Sequence, residues 1–158
     1  SWDVLLFLHT NTRLPADALC LADRYYFGYP LWKAALASGA ALLWRVRAGL
    51  VFPKLKHLPD GSYLTKIYPS PRARDRDVDG IPARLITYRL GKGREEYRLL
   101  CSITDPRKAP AIQLANLYTK RWTIETAFHE LKIRLGERHV HVPTISLETQ
   151  QIVEMRQR

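Results

Sequence analysis

Acidic residues are in short supply. Against 25 lysines and arginines stand 15 aspartates and glutamates, a formal charge of +10 over 158 residues. A surplus of that size favours a polyanionic partner, nucleic acid being the commonest, although a basic protein without such a partner carries the same numbers. Cysteine is also scarce. Cys20 and Cys101 lie inside the apolar runs "ALCLA" and "LLCSI", which excludes a disulfide framework and reads as two small buried side chains. No apolar stretch approaches the roughly 20 residues a membrane span needs. The apolar "VLLFL" at 4–8 is too short, and too poor in flanking basic residues, for a signal peptide. The expectation is a protein of the reducing cytoplasm with no membrane partner. Internal repeats are absent. What remains is a composition of 46% hydrophobic and 25% charged residues, sufficient for a folded domain with a real core.

Along the chain the patterning changes once. "VLLFL" is either a strand or a piece of buried helix, and "RLPAD" is a loop. "ALCLA" (18–22) is a short continuous apolar run, the mark of a strand buried on both faces, and it ends abruptly at Asp23-Arg24. "YPLWKAALAS" (29–38) predicts a helix stopped by Gly39, and "ALLWRVR" (41–47) a second strand. Strand, helix and strand in that spacing point to a βαβ unit and a mixed or parallel sheet. From 50 to about 103 come short alternating segments, "KLKHL", "YLTKIY", "ARLITYRL" and "YRLLCSIT", separated by turn signals such as Pro59-Asp60-Gly61-Ser62 and Gly91-Lys92-Gly93. They read as an antiparallel β region inserted into an α/β frame. Within it "SPRARDRDVDG" (70–80) predicts a solvated loop in which Arg72, Arg74 and Arg76 interleave with Asp75, Asp77 and Asp79. A long helix is then expected from about Ala109 to Leu135, with Pro110 near its first turn and Gly136 as its stop. The final "TISLETQQIVEMRQR" is helix-permissive with a weak apolar stripe.

The long helix carries the chemistry. In "YTKRWTIETAFHELK" (118–132), Tyr118, Arg121, Glu125 and Lys132 fall within about 60° of one another at about 100° per residue. Leu117, Ile124, Phe128, Leu131 and Leu135 form a core stripe beside them. An intrahelical Arg121–Glu125 pair worth about 0.3–0.5 kcal/mol satisfies the same spacing. A carboxylate set among surplus cations is also what metal-dependent phosphoryl transfer on DNA requires, the acid holding a divalent ion and the cations the backbone.

The pattern Y-x2-R-x3-E-x6-K, met by Tyr118, Arg121, Glu125 and Lys132, resembles the signature of the DDE transposases of the insertion sequence 4 family. The neighbouring "RW-x-IE" and "ELK" are similar as well. So are "LADRYYFGYPLW" (21–32), around the family's second catalytic Asp, and "LPDGSYL", "ARLITY" and "YRLLCSITDPRKAPAIQLANLY" farther on. The similarity runs over roughly 14–140. It implies an α/β, RNase H-like mixed sheet flanked by helices, here partial, with a β-rich insertion before the catalytic helix. The implied units are 1–49, a partial RNase H-like core; 50–103, the insertion; 104–136, the catalytic helix; and 137–158, a poorly matched tail. It implies Asp23 and Glu125 as catalytic carboxylates and metal ligands for Mg²⁺ or Mn²⁺. Tyr118, Arg121 and Lys132 are then contacts to DNA, both transposon ends and target, by a protein that works as a homodimer on DNA. Hard oxygen ligands suit those ions.

The family also uses a first Asp well upstream of the second. Asp3 and Asp17 are the acids before Asp23, and both stand too close to it for an intervening set of strands. The resemblance therefore leads to the expectation of a truncated transposase catalytic domain with impaired cleavage and strand transfer. A DNA-binding remnant and a nuclease on the same fold are the alternatives.

Overall fold

The structure, a computed structural model, describes residues 18–93 and 95–122 together with two short strands at 131–133 and 152–155. "VLLFL" and "RLPAD" lie outside the described residues. The elements are β1 (Leu19–Ala22), α1 (Tyr29–Ala37), β2 (Ala41–Arg45), β3 (Lys56–His57), β4 (Tyr63–Ile67), α2 (Pro71–Arg76), β5 (Ile81–Leu90), β6 (Glu96–Cys101), α3 (Ala111–Trp122), β7 (Leu131–Ile133) and β8 (Ile152–Met155). One sheet takes them in the order β3-β4-β5-β6-β2-β1-β8, with β7 also paired to β5. β1 runs parallel to β2 and to β8, while β2, β6, β5, β4 and β3 pair antiparallel in turn. This is the expected mixed α/β sheet. The strands between 50 and 103 continue it through the β2–β6 pair rather than forming a layer of their own.

The faces follow from alternation along the strands. Cys20, Ala22, Leu42 and Trp44 point to one side, where Trp32 and Ala35 of α1 cover them. Leu19, Leu21, Leu43, Leu99 and Cys101 point to the other, where Ala111, Leu114, Ala115 and Tyr118 of α3 cover them. Every residue of β1 is buried, as a strand between two neighbours and two helices must be. The cysteines are free and enclosed, and burial pushes each thiol up to about 11, so neither is a nucleophile.

Helix α1 starts with a proline in its first turn and ends where the sequence placed it. Gly39 follows the helix with φ 89°, a left-handed conformation that costs a side chain about 1–2 kcal/mol. Gly39→Ala is expected to lose that much stability in denaturant melts, and an unchanged midpoint would show that the left-handed turn is dispensable.

Three expectations are corrected. The segment at 70–80 is not simply a loop, since Pro71–Arg76 forms the short helix α2. Ser70 caps it, its Oγ accepting from the Ala73 N–H at 3.1 Å, and Asp77 closes it with φ 50°. The Ser-Pro pair is a start signal that the high charge density obscured. The long helix does not run unbroken to Leu135, because Leu131–Ile133 is strand β7, pairing Tyr88–Leu90 of β5 beyond the point where β4 ends. Leu131 fits the helical stripe with Phe128 and Leu135, but Leu131 and Ile133, two apart, fit the period of a strand, and β5 offers that strand a partner. Lys132 therefore sits on β7 opposite Arg89, not on the helical face of Tyr118. Lastly, Ile152–Met155 of the tail is a strand and not helix. Its β-branched start suits a strand, and it pairs in parallel with β1.

Candidate active site

The carboxyl ends of β1 and β2 deliver Asp23 and Arg45 to the same end of the sheet, where ligands of open α/β sheets generally bind. Because β6 runs antiparallel to β2, its amino end brings Glu95, Glu96 and Tyr97 to that end too. The carboxyl half of β5 brings Tyr88, which pairs with Tyr97. Helix α3 closes the back with Tyr118 and Thr119. These elements enclose a cleft of about 280 Å³ lined by Asp23, Arg24, Tyr25, Arg45, Tyr97 and Tyr118, among others.

Asp23 is half-buried at the cleft mouth. One carboxylate oxygen accepts the Tyr25 N–H at 2.8 Å, and its carbonyl accepts the Tyr26 N–H at 3.2 Å, so the strand end is held in a tight turn. The turn leaves Arg24 and Tyr25 exposed, with the Arg24 guanidinium 5.4 Å from the Tyr25 ring centre. Arg45 lies over Tyr97 at 4.2 Å and pairs with Glu95 at 2.6 Å. Tyr97 in turn stacks on Tyr88 at 5.3 Å, and Tyr88 accepts a hydrogen bond from Thr119 at 3.1 Å. Burial raises the Tyr88 phenol far above its ordinary value, so this ring is a neutral wall of the cleft.

Tyr118 belongs to the core rather than to a polar margin. It is 3% exposed, and its hydroxyl donates to the Ala22 carbonyl at 2.9 Å. That bond ties α3 to the last residue of β1, next to Asp23. A contact from this hydroxyl to a phosphate requires the Ala22 bond to break. Tyr118→Phe is expected to cost about 1–3 kcal/mol through the orphaned carbonyl, measurable by chemical denaturation, and an effect near zero would mean that the tie is not formed in solution.

Of the residues singled out by sequence, Asp23 and Tyr118 share the cleft. Arg121 lies in the last turn of α3 and Lys132 on β7, while Glu125 lies outside the described residues. Sequence reasoning missed Arg45, Glu95 and Tyr97. Arg45 stands about 50 residues from the other two and becomes their neighbour only through the β2–β6 pairing. The available signal was weak: a basic end to one predicted strand and an acidic-aromatic start to another.

A family model described as the transposase DDE domain matches residues 3–154. The chain belongs to that family. The family match extends beyond the 14–140 expected from the motifs, taking in both ends. The transposase InsG for insertion sequence element IS4, from Escherichia coli strain K12, is 32% identical over 122 residues, covering 73% of this chain and 27% of that protein's length. The chain thus spans about a quarter of the curated relative it matches. No solved structure matches it closely. No helix among the described residues is long and apolar enough to cross a membrane.

Proposed function

We propose that the cleft is part of a metal-dependent phosphoryl-transfer site acting on transposon-end and target DNA. Asp23 and Glu125 are the carboxylates that would hold Mg²⁺ or Mn²⁺. Arg121 and Lys132 would contact phosphates, and Tyr118 would do so on release of its hydroxyl from the Ala22 carbonyl. The observation that carries the reading is a single juxtaposition: the Asp23 carboxylate at the end of a fully buried strand, opening on a cleft with guanidinium groups at Arg24 and Arg45. Oxygen donors of this kind fit a hard divalent ion. Such an ion supplies activation of a water or 3′-hydroxyl and stabilisation of the leaving oxygen in an in-line displacement. The side chains supply the rest: Asp23 is oriented by the Tyr25 N–H, and the basic residues draw the phosphate backbone toward it.

Within these 158 residues we assign two carboxylates to the metal and none to a third position, so cleavage and strand transfer by these residues alone are expected to be weak. Titration with Mn²⁺, followed by electron paramagnetic resonance, tests the site without requiring turnover. Asp23→Asn and Glu125→Gln are each expected to weaken binding by at least about tenfold, since even outer-sphere partners of a metal are worth that much. Binding unchanged in both variants would overturn the assignment. DNA affinity is expected to fall with salt by about 0.9 in log–log slope per phosphate contact, and a flat response would remove the DNA partner.

A further inference from the structure

Glu95 is out of keeping with the basic cleft around it. Its side chain is 59% exposed, whereas that of Arg45, which it binds at 2.6 Å, is 20% exposed and lies over the Tyr97 ring with the guanidinium carbon 4.2 Å from the ring centre. Arg45 is thus held in place by an aromatic ring on one side, with its hydrogen-bonding edge turned to an acid. Tyr25 and, more weakly, Glu95 and Asp23 favour the charged form of the exposed Arg24. A planar guanidinium on a ring, with its donors presented at an edge, is shaped to take a two-oxygen anion such as a carboxylate or a phosphate. The acid comes from the turn between β5 and β6, beside Gly91 and Gly93, and not from a packed element. An exposed pair of this kind contributes little and is released at small cost.

We infer that Arg45 is a phosphate-binding residue of the cleft and that Glu95 occupies it in the absence of DNA, to be displaced by a backbone phosphate. The inference rests on the proposed DNA function and deepens it. It names an anchor for the strand nearest Asp23 and a competing internal anion that weakens non-productive binding. Because the guanidinium also lies over Tyr97, the exchange of one anion for another on its free edge needs no rearrangement of β2 or β6.

The test is the affinity of the full chain for a fluorescein-labelled DNA duplex of arbitrary sequence, by fluorescence anisotropy in EDTA, so that metal binding plays no part. Glu95→Gln is expected to bind about fivefold more tightly, the change to which an exposed pair of about 1 kcal/mol corresponds at 1.4 kcal/mol per decade. Asp75→Asn makes the same change in net charge on α2, away from the cleft, and is expected to shift affinity much less. In an Arg45→Gln background, itself weaker than wild type, Glu95→Gln is expected to have no effect. An unchanged affinity for Glu95→Gln, an equal gain for Asp75→Asn, or a gain that persists without Arg45 would each overturn the inference while leaving the proposed function standing. No salt-dependent binding by wild type or Glu95→Gln would remove both together.

Discussion

Arg84→Met is expected to destabilise the protein by about 3–5 kcal/mol, the usual consequence of stripping one partner from a buried charge pair. Arg84 is fully enclosed on the α3 side of β5. Its Nε donates to Ser62 Oγ at 2.8 Å, Nη1 to the carbonyls of Ala109 at 2.7 Å and Ile103 at 3.3 Å, and Nη2 to Asp60 Oδ2 at 2.6 Å. The same Asp60 oxygen accepts the Ala111 N–H at 2.9 Å, capping the first turn of α3. One guanidinium therefore joins the β3–β4 turn, the β6–α3 loop and the amino end of the helix. Methionine leaves two carbonyls and a carboxylate without their donor. The double variant Arg84→Met, Asp60→Asn is expected to recover part of the loss, because asparagine still accepts from Ala111 and removes the uncompensated charge. A single-variant cost under about 1 kcal/mol in urea melts would show that the cluster is not formed.

Acid reports on the same cluster. Burial pushes the Asp60 carboxyl up, but hydrogen bonds from Ser62 and the Ala111 N–H and the charge of Arg84 outweigh it, and the group titrates below its ordinary value. A depressed carboxyl contributes stability that is fully present above the unfolded value of about 3.9 and is lost as pH falls below it. Wild type is expected to weaken in that acid range, with a smaller change in Arg84→Met.

Trp32→Ala is the second large effect, expected at about 3–5 kcal/mol and on the order of 10 °C in Tm. Trp32 and Ala35 are the fully buried residues of α1. The indole meets Trp44 edge-on at 5.1 Å and Phe27 at 6.2 Å, and Phe27 continues to Phe52 at 5.8 Å. Alanine there opens a cavity under the helix and uncouples it from β2, the strand that ends at Arg45. Trp32→Phe is expected to recover most of the loss. The ring edges persist, and an indole N–H with no partner among the described residues is removed. Equal losses in both variants, followed by thermal melts, would contradict this account of how α1 is anchored.

Much of the frame was legible because burial on two faces and turn chemistry are local signals. "ALCLA" reads as a doubly buried strand because no polar residue interrupts it, and Gly39 marks the helix end because that backbone shape favours glycine. The antiparallel run showed itself through Pro59-Asp60-Gly61 and Gly91-Lys92-Gly93. Arg84 was not legible: in "ARLITYRL" it alternates with apolar residues as a solvent-facing side chain would. It is buried only because acceptors from residues 60, 62, 103 and 109 meet it. The extent of the long helix was not legible because Leu131 belongs to a helical stripe with Phe128 and Leu135 and also to a strand pattern with Ile133, and the choice rests on pairing with β5, which the sequence does not display.

The sequence by itself determined the family, the strand–helix–strand frame and the acid at the end of β1, since each rests on residues close together in the chain. The tertiary structure decided that Tyr118 turns its hydroxyl to Ala22, that Arg84 is a core residue, and that Arg45, Tyr97 and Glu95 stand beside Asp23. Those outcomes depend on partners some 20 to 100 residues distant. A polar side chain is stable in the interior only where such partners complete its hydrogen bonds.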